Sequence, residues 1–271
     1  MASDTACCPP QAPRPKVAHP VSQKSGYEPA GTYEKVGDFD KVYVTGPEKA
    51  DHAVVVIYDI FGFWETSLRG WDLLANHLTL TIPHKLYAPD VFRGKPFPPE
   101  RDGDKELLKF FETTWDLTWR EAADSSAKIS DRLPEVIKFA ERLKKDFKTV
   151  SILGYCWGGK ICLLSLATDT FHSGATCHPA MITDEDGDNL ARPFGFYPSK
   201  DEPTGPVNYI AAKMKEKPFA KECDYVLYDT VHHGWVGARA DLSNPENRKQ
   251  FDAVYQRLAD YFARVNARCK M

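Results

Sequence analysis

Gly154-Tyr155-Cys156-Trp157-Gly158-Gly159-Lys160 is the stretch from which the rest of the chain can be read. The apolar run 149–153 before it, with β-branched Val150 and Ile152, predicts a buried strand, and 161–167 after it predicts a buried helix. The chain must therefore turn sharply at Cys156. Such a turn crowds its apex, so the position two before and the positions two and three after can carry almost no side chain; Gly154, Gly158 and Gly159 meet that need. The apex side chain then projects beyond the carboxyl edge of a sheet, beside the free N–H groups and positive dipole end of a helix N-terminus. This is the pattern of a nucleophile elbow with sulfur in place of oxygen. A cysteine can also be a small buried hydrophobe beside packing glycines; the glycine spacing favours the elbow.

Working outward, strands and helices alternate. Before the elbow, 32–36 and 41–45 around Gly37-Asp38 predict an antiparallel hairpin at a sheet edge. Residues 53–58 predict a strand covered on both faces, leaving through Asp59-Ile60-Phe61-Gly62. Leu68, Trp71, Leu74, Ala75 and Leu78 predict a helix, 85–88 a strand, and Val136, Ile137, Phe139, Ala140, Leu143 and Phe147 a helix leading into the elbow strand. Between these, 91–119 breaks the pattern, and its aromatics Phe110, Phe111, Trp115 and Trp119 are expected either as a wall of the site or as core filling. After the elbow, strands are predicted at 174–177, 193–197 and 224–231, and helices at 207–214 and along the stripe Phe251, Val254, Tyr255, Leu258, Tyr261, Phe262 and Val265. The alternation predicts an α/β fold, a mostly parallel central sheet with helices on both faces.

With 271 residues, 42% hydrophobic and 27% charged, the chain has the size and composition of one soluble domain. We expect an extended Pro-rich N-terminal arm over 1–30 and a single domain over 31–271. The formal net charge of −3 gives no footing for nucleic acid. No signal peptide or membrane span is legible, so the expected address is the cytoplasm and no membrane partner is expected. Seven cysteines without a C-x-x-C pair argue against a disulfide framework and a structural zinc site. No H-x-x-x-H cluster is present either, so neither metal nor organic cofactor is expected.

Three polar residues stand at or just beyond predicted strand ends in the order Cys156, Asp201, His233, the nucleophile, acid, histidine order of α/β-hydrolases. Histidine could take the thiol proton, sulfur could attack a carbonyl, and a carboxylate could hold the imidazole in the useful tautomer. His232 and His233 point to opposite sides of an extended segment, so only one can face Cys156. For the carboxylate, Glu202, Asp184, Asp186 and Asp188 compete with Asp201.

At this point the sequence resembles the dienelactone hydrolases, through Tyr43-Val44-Thr45-Gly46, Asp59-Ile60-Phe61-Gly62, Ala88-Pro89-Asp90, the elbow, His178-Pro179 and His233-Gly234-Trp235. The resemblance implies an α/β-hydrolase fold and opening of small lactones or esters through a thioester on Cys156, with dienelactone-type substrates as candidates. It implies Asp201 as acid, His233 as base, and an oxyanion hole from the N–H groups of Ile60 and Trp157, worth about 2.7–4 kcal/mol per donor in comparable sites. It also implies thiol activation by Asp59, where bacterial members often carry Glu. Arg93 and Arg239 are the candidates for holding a substrate carboxylate. Phe61, Phe63, Trp64, Trp157 and Trp235 would give the pocket its aromatic lining. The reading from a different class is a binding or redox-sensing protein that retains the fold; a sensor would need a second cysteine near Cys156, and Cys162 is expected to point into the core.

Overall fold

The computed structural model describes residues 26–96 and 129–267. The predicted arm up to residue 25, the aromatic segment Phe110, Phe111, Trp115 and Trp119, and the last four residues lie outside the described residues.

Eight strands form one sheet: β1 (Thr32–Val36), β2 (Phe39–Thr45), β3 (His52–Ile57), β4 (His84–Pro89), β5 (Thr149–Tyr155), β6 (Gly174–Cys177), β7 (Phe194–Tyr197) and β8 (Asp224–Tyr225). Their order across the sheet is β1-β2-β4-β3-β5-β6-β7-β8. The β1–β2 and β2–β4 pairs are antiparallel and the others parallel. Every residue of β3 and β5 is buried, as expected for central parallel strands roofed on both sides. The strand predicted over 224–231 is shorter than expected. Only Asp224 and Tyr225 pair with β7, and a single bridge from Ser199 to Tyr228 continues the alignment.

The helices are α1 (Glu65–Thr79), α2 (Ile129–Leu143), α3 (Trp157–Ser165), the short α4 (Asp184–Asp188), α5 (Thr204–Glu216) and α6 (Pro245–Asn266). The α6 stripe is buried from Phe251 to Val265, and Asn244 caps the helix by accepting from the N–H groups of Glu246 and Asn247, with Pro245 at the first position. Gly154 and Tyr155 show which faces are covered. A Cβ on Gly154 would lie 2.1 Å from the Gly158 carbonyl of α3, whereas the Tyr155 hydroxyl donates to Tyr255 of α6. Successive strand residues face opposite sides, so α3 and α6 cover opposite faces. The chain is an α/β-hydrolase fold.

Two buried polar clusters join the layers. Asp72 of α1 accepts from the hydroxyls of Tyr27, Tyr43 and Thr45 and from the Ala30 N–H, fixing the segment that enters β1. At the start of β4, His84 Nδ1 donates to the Ile82 carbonyl at 2.5 Å and its Nε2 accepts from Asn266 at 2.7 Å. The His52 ring lies 5.0 Å away.

Candidate active site

Strand register alone sets the candidate residues in a row along one rim. Ile57 pairs with Gly154, so Asp59 and Ile60 leave β3 level with Cys156 and Trp157 leaving β5. Tyr155 pairs with Cys177, which puts His178 beside Cys156, and Cys177 pairs with Tyr197, which places Pro198 and the following turn next in line. The Ser199–Tyr228 bridge and the bond from the Lys200 N–H to the Val231 carbonyl (3.3 Å) bring the His233 loop against that turn.

Close approach explains the three elbow glycines. A Cβ on Gly158 would sit 2.2 Å from the Ile57 carbonyl oxygen, and one on Gly159 would sit 2.5 Å from Thr176 Oγ1. Cys156 itself has φ 50° and ψ −114°, a left-handed conformation that a non-glycine residue adopts only under constraint. The constraint is visible. Its N–H donates to the Cys177 carbonyl, and its own carbonyl accepts from Gly159 and Ala180, each at 2.9 Å. The Cys156 side chain stays largely enclosed, 6% exposed.

His233 is held by Glu202. The Nδ1 of His233 meets Glu202 Oε1 at 2.6 Å, and the Glu202 side chain is 2% exposed. The expectation that Asp201 takes this place is corrected: Asp201 is exposed, and its Oδ2 accepts the His233 backbone N–H at 2.8 Å. The cause is local. After β7 the chain curls through Ser199-Lys200-Asp201-Glu202, and the Ser199 N–H and hydroxyl both donate to Glu202, turning that side chain inward and leaving Asp201 on the outer side of the turn. With Nδ1 engaged, the other nitrogen of His233 is the one left for Cys156. Burial opposes charge on this imidazole, but the neighbouring Cys156 and the Glu202 carboxylate outweigh it and push its pKa up to about 10. His232 points elsewhere, with its Nδ1 on the His233 carbonyl.

Asp59 is buried, and its two oxygens accept from the N–H groups of Phe61 (2.9 Å) and Ala238 (3.0 Å). It thus ties the loop carrying Ile60 to the loop carrying His233. Burial raises its pKa, partly opposed by those two hydrogen bonds and by Arg239. Trp157 is the first residue of α3, so its N–H belongs to the first turn, which has no acceptor within the helix. Ile60 leaves β3 three residues beyond Ile57, whose partner Gly154 stands three residues before Trp157.

The expected substrate contacts divide. Arg239 stacks over the Phe61 ring at 5.3 Å, and both flank Asp59. Arg93 is engaged in another way: its guanidinium donates to the Asp38 carbonyl, pairs with Glu135 at 3.1 Å and covers the Phe39 ring at 4.4 Å. That corrects its expected place as a substrate ligand, because an irregular loop after β4 turns it toward the β1–β2 hairpin and α2. Trp235 is fully buried and lies on Tyr228 at 4.6 Å, so it is core beneath the loop instead of pocket wall. Trp157 packs likewise on Phe92 at 4.8 Å.

Glu202 was legible only as one of several nearby carboxylates, because nothing in the residue order shows which way the turn curls. His178 is a second imidazole against His233, with ring centroids 4.9 Å apart. Its sequence signal is no more than a His-Pro pair at a strand end.

A mostly parallel sheet with a sharp strand-to-helix elbow at its carboxyl rim is the architecture of the α/β-hydrolase class. Residues 41–266 match the dienelactone hydrolase family, and the chain belongs to that family. An uncharacterized AIM2 family protein of Schizosaccharomyces pombe is 31% identical over 230 residues, 81% of this chain and 85% of that one. A carboxymethylenebutenolidase homolog of Homo sapiens is 25% identical over 82% of this chain and 86% of its own length. Among solved structures, the 2,6-dihydroxy-pseudo-oxynicotine hydrolase superposes with a TM-score of 0.54 at 14% identity, over 88% of this chain and 68% of that one, a likeness of fold. The chain is an ester or lactone hydrolase by family. No helix among the described residues is long and apolar enough to cross a membrane.

Proposed function

We propose that the protein opens small lactones or cleaves small esters through a thioester on Cys156, with His233 as the base and Glu202 as the residue that orients it. The observation that carries this is His233 held at 2.6 Å by a buried carboxylate while its remaining nitrogen faces the elbow cysteine. The sulfur attacks the carbonyl carbon, and the displaced electron pair goes to the carbonyl oxygen. The N–H groups of Ile60 and Trp157 receive that oxygen. As the carbonyl re-forms, the C–O bond to the leaving alkoxide breaks and the His233 imidazolium protonates the alkoxide; in a lactone it stays tethered to the acyl chain. Water then attacks the thioester, His233 takes its proton, and the C–S bond breaks to give the acid and restore Cys156.

Asp59 serves this site by holding the oxyanion loop and the histidine loop in register, with its contribution to thiol activation passing through that positioning. Arg239 over Phe61 offers a cation beside Asp59 for an acidic substrate group, and dienelactone-type substrates fit that arrangement. These steps use only the chain's own residues and water. The sensor alternative finds little support in Cys162, whose thiol is fully buried and donates to the Ala175 carbonyl at 3.3 Å.

The test is hydrolysis of p-nitrophenyl acetate, a simple γ-lactone and a dienelactone by the wild type, Cys156→Ala and His233→Ala. Turnover lost in both variants is expected. Turnover that survives Cys156→Ala would overturn the proposal.

A further inference from the structure

His178 carries two features that cost free energy and that packing alone does not require. It is fully buried, yet neither ring nitrogen has a hydrogen-bond partner among the described residues. Its backbone also sits at φ 38°, in the left-handed region. The surroundings impose this conformation from both sides. The His178 N–H donates to the Tyr197 carbonyl at 3.0 Å and the Ala180 N–H to the Cys156 carbonyl at 2.9 Å. Further on, Thr183 is bonded to Asp186, whose two oxygens accept from Lys160 of the elbow helix at 2.6 and 2.7 Å. The loop after β6 is therefore fastened to the elbow at two points, with His178 at its start.

The ring meets His233 edge to face at 4.9 Å and 71°, and more loosely Tyr155 at 6.0 Å. Gly237 in the histidine loop passes close to both groups: a Cβ there would crowd Asp59 Oδ2 at 2.6 Å and would be in ordinary contact with His178 Nε2 at 3.6 Å. We propose that His178 is a positioning residue for His233, its ring holding the imidazole in line between Cys156 and Glu202 through ring contact instead of a hydrogen bond. This rests on Cys156 and His233 being the reacting pair. Burial, then the proximity of His233, keep His178 uncharged, so it offers a π system to a cationic neighbour without adding like charge. The left-handed backbone favours Asn, Asp or His among non-glycine residues, and of these only His supplies a ring.

Other charged and titratable groups face the two imidazoles and stay constant in the test. Cys156 on the elbow and Glu202 on the turn after β7 act on His233, Asp201 accepts its backbone N–H, Asp59 after β3 lies near it, and His232 and Arg239 on the His233 loop act on His178. The experiment follows thiolate absorbance near 240 nm and kcat and KM against pH in the wild type, His178→Phe and His178→Leu, with Cys156→Ala as the absorbance blank. For His178→Leu, the thiolate should titrate about one pH unit higher and kcat fall about tenfold with KM little changed, since one unit is a tenfold change in the ion-pair equilibrium. His178→Phe should stay within about threefold of the wild type in both readouts, though it melts earlier because the backbone disfavours it. If His178→Leu does not fold, His178→Asn takes its place with the same expectation. A leucine or asparagine variant that titrates and turns over like the wild type would overturn the proposal, as would folded Phe and Leu variants that are equally impaired. A wild type with no thiolate titration and no Cys156-dependent turnover would instead sink the assignment of the reacting pair, and this proposal with it.

Discussion

Glu202 Oε1 and His233 Nδ1 lie 2.6 Å apart, while the adjacent Asp201 takes only the backbone N–H of the same histidine. Two neighbouring carboxylates thus have separable tasks, one on the imidazole and one on the loop. Glu202→Gln removes the charge and can present the wrong partner to Nδ1, so kcat/KM should fall by roughly 10² to 10⁴. Asp201→Asn keeps an oxygen that can accept the His233 N–H, at an exposed position, and should cost less than about tenfold. Steady-state kinetics on one activated ester decides between them; the reverse order would restore Asp201 as the acid.

The pH profile should carry the mark of the same pair. With His233 pushed up to about 10 by Cys156 and Glu202 against the opposing effect of burial, the thiolate–imidazolium form persists well above neutrality. We expect kcat/KM to stay level between about pH 7 and 9 and to decline as the imidazolium loses its proton near pH 10. Glu202→Gln removes a negative charge that favours the imidazolium, so the alkaline limb should move to lower pH. An unmoved limb in that variant would separate Glu202 from the titration.

Asp59 uses both oxygens on backbone donors, Phe61 N–H and Ala238 N–H. Asp59→Asn leaves one of these buried donors facing an NH₂ group, at a cost of about 1–3 kcal/mol in unfolding free energy. Because the two loops would lose their tie, kcat should fall more than KM rises. Urea unfolding together with steady-state kinetics checks both parts.

Acid should weaken the fold through His84. In the folded state its Nε2 accepts from Asn266 and burial holds its pKa at about 4, against an ordinary value of 6.5. Below pH 6.5 the unfolded chain takes up the proton and the folded chain does not, so stability declines as pH falls from about 6.5 to 4, by roughly 3 kcal/mol for this group. His84→Gln should lose that part of the pH slope when unfolding is followed at pH 7, 5.5 and 4.5.

Much of this architecture could be read from residue order. The buried strands 149–155 and 52–57, the glycine-bounded elbow and the closing amphipathic helix all declare themselves by apolar period and by glycines that close approach requires. The position of Cys156 at the rim is legible for the same reason, whereas the strand predicted to run up to His233 forms only at Asp224 and Tyr225, and the His233 loop reaches the rim through the Ser199–Tyr228 bridge and the Lys200–Val231 hydrogen bond. The carboxylate that meets His233 is not legible, because Asp201 and Glu202 differ by one step on a turn whose direction is set by Ser199, and a carboxylate pattern holds no record of that curl. Arg93 and Trp235 misled in a related way: their sequence positions lie near the site, but the loops that carry them turn the side chains to Glu135 and to Tyr228. Strand order fixes where a loop starts, and local hydrogen bonds fix where its side chains go.

The most direct measurement is intact and peptide mass spectrometry of the protein quenched in acid within the first turnovers on p-nitrophenyl acetate. An acetyl adduct on the Cys156 peptide is expected, absent in Cys156→Ala and accumulating in Glu202→Gln if deacylation needs the oriented imidazole. Turnover with no adduct on Cys156, or with the adduct on another residue, would contradict a thioester at the elbow.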